Sequence, residues 1–433
     1  MITGWGNYIP KKFKTNIFYP KNIIELKKLL SRKNCKYAAI RGNGRSYGDS
    51  SIGEKIISIR DFEKKIKIDY KNKILHCSAN CTMGEINEVL IKKNFFFKVT
   101  PGTKFVTIGG AIASDIHGKN HHLEGSMSET IKEIELLLSN KKIIKCSKFK
   151  NKDIFKATTG GMGLTGVILS AKIKLKKIKS EYIYERKIVS NNLKETIDHF
   201  EKYRNWEYIV SWIDMSAKNL SLGRGITYLG KHTNNKIIEK NRDRTFKIFF
   251  PSFFLNNFFL KIYNKLFFHI SKINKEREIH LNQYFYPLDK IKNWNNLYGK
   301  KGFIQVQVLL KNKNVLKNLT RLIEFFQINK KYSFVTSLKK LGKKNNNYLS
   351  FPEYGYTIAM DIKYSNDIEK FHNKLENELK KINAKLYLTK DSLMRSDFFK
   401  YTYPELKKFK KIKIKIDKKI FFQSSQSKRL SMI

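Results

Sequence analysis

Arg41-Gly42-Asn43-Gly44-Arg45-Ser46-Tyr47-Gly48-Asp49 is the stretch whose reading decides the fold. It follows Lys36 to Ile40, which reads as a short strand. Its glycines free φ for tight turns and let backbone N–H groups approach a phosphate closely. The spacing is G-x-G-x-x-x-G, not the G-x-G-x-x-G of a dinucleotide fingerprint, and no helix clearly opens after it, so a Rossmann reading is weak. Alone, the loop is either a phosphate cradle or a tight turn with no ligand.

Two further glycine-rich stretches lie downstream. The first is Thr100-Pro101-Gly102-Thr103, followed by the run from Thr107 to His122, TIGGAIASDIHGKNHH, in which Gly109 and Gly110 could place backbone donors against a pyrophosphate. His117 and His121 are four apart, but there is no H-E-x-x-H glutamate and Gly118 between them argues against a helix, so locally hydrogen-bonded histidines are expected and no metal. The second is the run from Ala157 to Ile168, ATTGGMGLTGVI, where four glycines in seven positions before an apolar strand indicate close backbone approach or a crowded turn.

Between and around these loops the apolar periodicity predicts a helix over Pro20 to Leu30, strands at 56–59, 66–68 and 74–77, a helix at 83–92, a hairpin over 131–146 and a strand at 167–175. After about residue 176 the glycine clusters stop. Gly302 to Leu310 alternates polar and apolar residues as a half-buried strand should, Glu369 to Lys381 reads as a helix, and Leu386 to Leu388 as a short strand before a polar cluster.

The chain has 433 residues, enough for two domains, and its 41% hydrophobic and 13% aromatic content can build a buried core. The formal net charge is +50. Lysines are scattered over almost every segment, and no zinc finger, RNP motif or helix-turn-helix is present, so a nucleic-acid partner is not expected. An anionic substrate or membrane surface needs far less charge. The four cysteines (35, 77, 81 and 146) lack a second close pair for a zinc site and read as reduced thiols. No secretory signal and no run of 18 clean apolar residues stand out, so a cytoplasmic protein, peripheral at most on an inner membrane, is expected. The nearest apolar stretch is Phe246 to Ile270. It carries nine phenylalanines interleaved with Lys247, Lys261 and Lys265, and reads either as core or as a lid that dips into a membrane interface.

Together, in order and spacing, the three glycine motifs resemble the FAD-binding (PCMH-type) domain of the vanillyl-alcohol-oxidase family, and more narrowly its decaprenylphosphoryl-β-D-ribose 2-oxidase branch. The stretches Thr3 to Gly6, Tyr286 to Asp289, Ser350 to Pro352, Tyr387 to Ser392 and Lys428 to Leu430 add to the likeness, which covers nearly the whole chain. The resemblance implies an α+β fold. Residues 1–175 would form the FAD domain, 176–385 a cap or substrate domain with an antiparallel sheet, and 386–433 a segment returning to the first domain. It implies FAD held by Arg41, Gly42, Asn43, Gly44, Arg45, Ser46, Tyr47, Gly48, Asp49, Gly102, Thr107, Ile108, Gly109, Gly110, Ser114, Asp115, Ile116, His117, Val167, Ile168 and Tyr387. Arg45 stands where some members carry the histidine that bonds the flavin, so non-covalent FAD is implied.

For the reaction the resemblance implies Lys390, Lys119 and Gln307 as catalytic residues and Gln305, Lys339 and Phe285 as substrate contacts. A lysine beside a flavin can hydrogen-bond a developing alkoxide or, with a depressed pKa, take the hydroxyl proton. The chain departs from the best-known branch at Phe285, Asn296 and Ala359, which puts the sugar and its carrier in doubt. The implied function is oxidation of a sugar hydroxyl, the 2-hydroxyl of a polyprenyl-phosphoryl pentose, in cell-envelope or polysaccharide synthesis. A short-chain reductase would complete an epimerisation. The alternatives are an alditol or other carbohydrate oxidase on the same fold, and a basic nucleic-acid-binding or scaffold protein with empty glycine loops.

Overall fold

In a computed structural model of the chain, residues 2–8, 14–32, 35–234, 256–273, 275–333 and 335–433 are described. The first part holds β1 (Asn16–Phe18), β2 (Ala38–Arg41), β3 (Lys55–Ser58), β4 (Ile66–Asp69), β5 (Ile74–Ser78), β6 (Phe95–Phe97), β7 (Ile131–Leu137), β8 (Ile143–Cys146) and β9 (Val167–Lys177). β1, β3 and β2 make a small parallel sheet, and β4, β5, β9, β7 and β8 an antiparallel one, with β6 on the far end of β9. The eleven-residue β9 pairs with three other strands and is the spine of this part.

Local chemistry sets the helices between these strands. Helix Met83–Ile91 opens on a capping box, Thr82 accepting from the Glu85 amide while the Glu85 carboxylate accepts from Thr82. Helix Ile108–Ala113 is capped by Thr107, whose hydroxyl accepts from the Gly110 amide. It can lie flat on the sheet because Gly109 has no side chain: a Cβ there would come within 3.2 Å of Ala79 Cβ.

The second part holds β10 (Tyr182–Ser190), β11 (Tyr208–Ile213), β12 (Gly225–His232), β13 (Glu276–His280), β14 (Phe303–Lys311), β15 (Thr336–Leu341), β16 (Gly355–Lys363) and β17 (Lys385–Leu386). They form one antiparallel sheet in the order β13-β10-β12-β11-β15-β16-β14-β17. One face is apolar: Ile304, Val306, Val308, Leu310, Ile358, Met360, Ile362 and Leu338 pack under helices Leu193–Lys202, Val315–Ile328 and Ile368–Lys381 in a single core cluster. β14 was expected to be half-buried from its alternation. Instead every residue but Lys311 is buried, because its polar face, Gln305 and Gln307, packs against the first part of the chain.

Both ends of the chain cross between the two parts. Residues 2–8 reach the large sheet: Asn7 bridges Phe303, and Tyr8 joins the helical-layer core and donates to Glu369 at 3.0 Å. At the other end Phe421 and Phe422 enter the N-terminal core, where the Ala38 amide donates to Phe421 O at 2.9 Å. Asp417 shapes that return by accepting from the Phe421 and Phe422 amides while paired with the buried Lys413.

Candidate active site

Register alone assembles the site. In an antiparallel pair, directly opposed residues point to one face. Gln305 opposes Asp361, Gln307 opposes Ala359, Ala359 opposes Ser337, and Lys339 opposes Thr357. These side chains make a polar floor in the middle of the large sheet, facing the glycine-rich loops. Contacts across the gap fix the two parts together. Gln307 Nε2 lies 2.9 Å from His117 Nε2 and 3.1 Å from Thr357 Oγ1, and the Tyr387 hydroxyl donates to Ser114 O at 2.8 Å. His117 is flanked by Tyr387 and Phe351, with ring centroids 5.2 and 5.7 Å away.

Three half-buried lysines surround this floor. Lys390 follows β17 in a turn closed by its amide donating to Tyr387 O, and its ammonium stands 3.7 Å from the centre of the Tyr47 ring. Lys119 donates to Tyr284 O and lies 4.0 Å from the Tyr284 ring centre. Lys339 projects from β15. Burial lowers all three: Lys119 is pushed down to about 7 and Lys339 to about 8, while Lys390 is lowered by burial and by Lys339 against the pull of Asp361. The same burial drives His117 well below its usual range, helped by Lys339, His121 and Lys390, so its ring is neutral. With Gln307 donating to Nε2, the ring proton sits on Nδ1, which has no protein acceptor among the described residues.

The first glycine loop presents a row of free donors. Among the described residues, no backbone carbonyl accepts from the N–H groups of residues 42–46. These residues are half-buried, and consecutive amides without a carbonyl acceptor can converge on an anion as a nest. Gly48 is fixed sterically, since a Cβ there would meet Asp391 O at 1.8 Å.

Comparison with known proteins shows which cofactor the chain binds. Residues 16–147 match the profile of the FAD binding domain family. The chain is 27% identical over 449 aligned residues to decaprenylphosphoryl-beta-D-ribose oxidase of Mycolicibacterium smegmatis, covering 100% of this chain and 97% of that protein. It is 25% identical to L-gulonolactone oxidase of Bos taurus over 43% of this chain and 42% of that one. With D-arabinono-1,4-lactone oxidase of Debaryomyces hansenii it shares 23% identity over 46% of this chain and 36% of that one. The chain is an FAD-dependent oxidoreductase.

The residues of this oxidoreductase fit the cofactor at definite atoms. The amides of residues 42–46 are free for the diphosphate, the His117 Nδ1 proton is aimed at no protein atom, and the buried Arg45 Nε is also without a partner. The Arg45 guanidinium lies 4.1 Å from the Trp5 ring and 4.9 Å from the Phe105 ring. An arginine has no ring nitrogen to bond a flavin methyl group, in line with dissociable FAD. Gly102 borders open space.

Other residues expected at the cofactor also have partners within the fold. The Ile108 and Gly109 amides donate to Cys81 O and Ala79 O, so they are not free for a pyrophosphate. Ile116 is buried in the N-terminal core, and Val167 and Ile168 pair with Leu137 and Leu136 in the sheet. The fully buried Asp115 carboxylate accepts from Ser128, Asn345, Asn347 and Ser350, which ties the second glycine motif to the loop before β16. Asp49 accepts from Nε and Nη2 of Arg429, one bond to each carboxylate oxygen. Arg41 braces its own loop through Thr3 O at 2.9 Å and Ser51, and Asn43 donates to Phe105 O. Phe285 is not at the pocket surface. It is buried among Phe96, Tyr208 and Tyr284, and reaches the site only by lying beneath Lys119.

The sequence reading passed over Asp361, Tyr298 and Arg429. Asp361 is buried, accepts from Gln305 and lies 3.5 Å from the Tyr298 hydroxyl. Burial pushes its carboxyl up while Gln305 and Lys390 hold it down. The signal was the alternation in β16, where Thr357, Ala359 and Asp361 share the face opposite to Ile358, Met360 and Ile362.

Proposed function

We propose that the oxidoreductase oxidises a secondary hydroxyl of a sugar carried on a phosphodiester, the 2-hydroxyl of a polyprenyl-phosphoryl pentose. This would be the oxidative half of an epimerisation, and a short-chain reductase would return the keto sugar with inverted configuration. The observation that carries the reading is the convergence of Lys119, Lys339 and Lys390 on one polar floor where Asp361 is the central carboxylate. Glu185, which also raises Lys119, is already paired with Arg277 at 2.7 Å. Burial leaves surplus positive charge strained toward neutrality, and a bound phosphate relieves that strain. A neutral polyol does not.

Bound FAD supplies the hydride acceptor. The chain supplies the rest. Gln305 and Gln307 hold ring hydroxyls, and Lys119 and Lys339 hold the phosphate. Lys390, lowered by burial, takes the hydroxyl proton on Nζ as the carbinol hydrogen leaves with its electron pair. Asp361 then stabilises the ammonium that forms. The wall of Tyr387, Phe351 and His117 keeps water from the reacting carbon.

The departure at Ala359 favours a second reading, an alditol or lactone-type carbohydrate oxidase, because a methyl group between Gln307 and Ser337 widens the floor. Product mapping separates the two. Turnover of a pentosyl phosphodiester followed by borodeuteride reduction should place deuterium at C2 of the pentose. Deuterium elsewhere, or turnover of free alditols alone, refutes the phosphodiester reading.

A further inference from the structure

Helix Asn257–Ile270 carries a buried arc and an exposed apolar one. Leu260, Asn264 and Phe268 are buried, with Asn264 donating to Ser333 O and the Phe267 ring 4.7 Å from Trp212. A second arc, about 120° wide at about 100° per residue, carries Phe258, Ile262, Leu266 and Ile270. All four are exposed, three of them more than half, and Ile273 just beyond the helix is 64% exposed. Lys261 and Lys265 fall on the flank of that apolar arc, about 60° and 20° from Phe258 respectively. No acidic residue occurs from Asn256 to Ile273. A soluble helix normally turns charged residues toward water and apolar ones toward the core. This one keeps its core contacts and presents a second apolar stripe outward.

Position links the stripe to the site. Trp212, against which the helix packs, opposes Ser337, and Ser337 opposes Ala359 on the polar floor. The helix therefore lies on the same face of the large sheet as the lysines, beside the two central strands.

We propose that this helix lies in the plane of an anionic lipid surface, its Phe258–Ile262–Leu266–Ile270 stripe in the acyl boundary and Lys261 and Lys265 against the head groups. An apolar arc bordered by lysines and free of acids is the pattern of an interfacial helix. A second copy of the chain fits less well, since apposing two stripes brings two lysine flanks together. The inference rests on the exposed stripe, not on the substrate reading. The sequence-based lid reading of residues 246–270 is tested only over this helix, because Phe246, Phe249, Phe250, Phe253 and Phe254 lie outside the described residues.

The test is co-sedimentation of the FAD-loaded protein, without substrate, with vesicles of phosphatidylglycerol and phosphatidylcholine and with phosphatidylcholine alone. The wild type should sediment with the anionic vesicles, weakly with the neutral ones, and less in high salt. A variant with Phe258, Ile262, Leu266 and Ile270 changed to Ser should keep its flavin and midpoint of unfolding and bind at least about tenfold more weakly. Lys261→Ser with Lys265→Ser should lose mainly the preference for anionic lipid. No wild-type binding, or equal binding by the stripe variant, overturns the proposal. A wild-type dimer that the stripe variant converts to monomer overturns it in favour of self-association. If the four-serine variant loses its flavin, the single Leu266→Ser variant replaces it, and unchanged vesicle binding there has the same negative force.

Discussion

Lys390→Ala is expected to keep one FAD per chain and to lose flavin reduction by substrate on the order of a hundredfold or more, the usual cost of removing a positioned proton acceptor. Anaerobic stopped-flow absorbance measures the loss. The reason is geometric. The Lys390 ammonium stands over Tyr47, and burial lowers it toward the neutral form that a base needs, while Asp361 holds the proton once it arrives. Lys119 is tied to Tyr284 O and is not poised to replace it. Lys390→Arg should not rescue the rate, because a guanidinium cannot give up its proton. In the parent and in Lys390→Ala alike, acid precipitation should release all the FAD to the supernatant, as Arg45 offers no covalent link. Reduction of Lys390→Ala at the parental rate would remove the lysine from the mechanism.

Arg429→Ala is expected to destabilise the fold by about 3–5 kcal/mol, the usual effect of leaving a buried ion pair without one partner. Here two carboxylates lose the same partner. Arg429 donates to Asp49 at 2.7 and 3.1 Å, to Asp391 at 2.8 Å and to Met394 O at 2.6 Å. Burial pushes Asp391 up, and Arg429 outweighs it, holding that carboxyl below its usual range. Asp49 ends the first glycine loop and Asp391 follows Lys390, so the one guanidinium joins cofactor loop and catalytic turn. The change should therefore lower the denaturant midpoint and FAD occupancy together. A midpoint within experimental error of the parent would show that water replaces the pair at no cost.

The glycine loops were legible as motifs, and Gly44 answers a local demand with its φ of +63°. Gly48 is instead crowded by Asp391 O, far along the chain, which its spacing does not show. What spacing could not show is which amides the fold itself consumes. Gly109 and Gly110 look like phosphate donors in sequence, yet they spend their N–H groups on Ala79 O and Thr107 Oγ1. Asp49 and Asp115 sit within matched motifs, but their partners, Arg429 and the 345–350 loop, are hundreds of residues away, so no local pattern could reveal their structural roles. Gln305 and Gln307 were implied by the resemblance, and the alternation of β14 agrees with their sharing one face. Asp361 obeys the same alternation two strand positions from Ala359 and was recoverable by applying that reasoning to β16. Phe285 was expected at the substrate from the resemblance; in the fold it lies in the core and supports Lys119 from beneath.

The most direct test of the central claim is anaerobic titration of the protein-bound FAD, followed by its absorbance, with a polyprenyl-phosphoryl pentose, the same pentose without phosphate, and free alditols. The account predicts rapid bleaching by the phosphodiester and slow or no bleaching by the uncharged sugars. Equal bleaching by free alditols, or a flavin left oxidised by the phosphodiester, would contradict it.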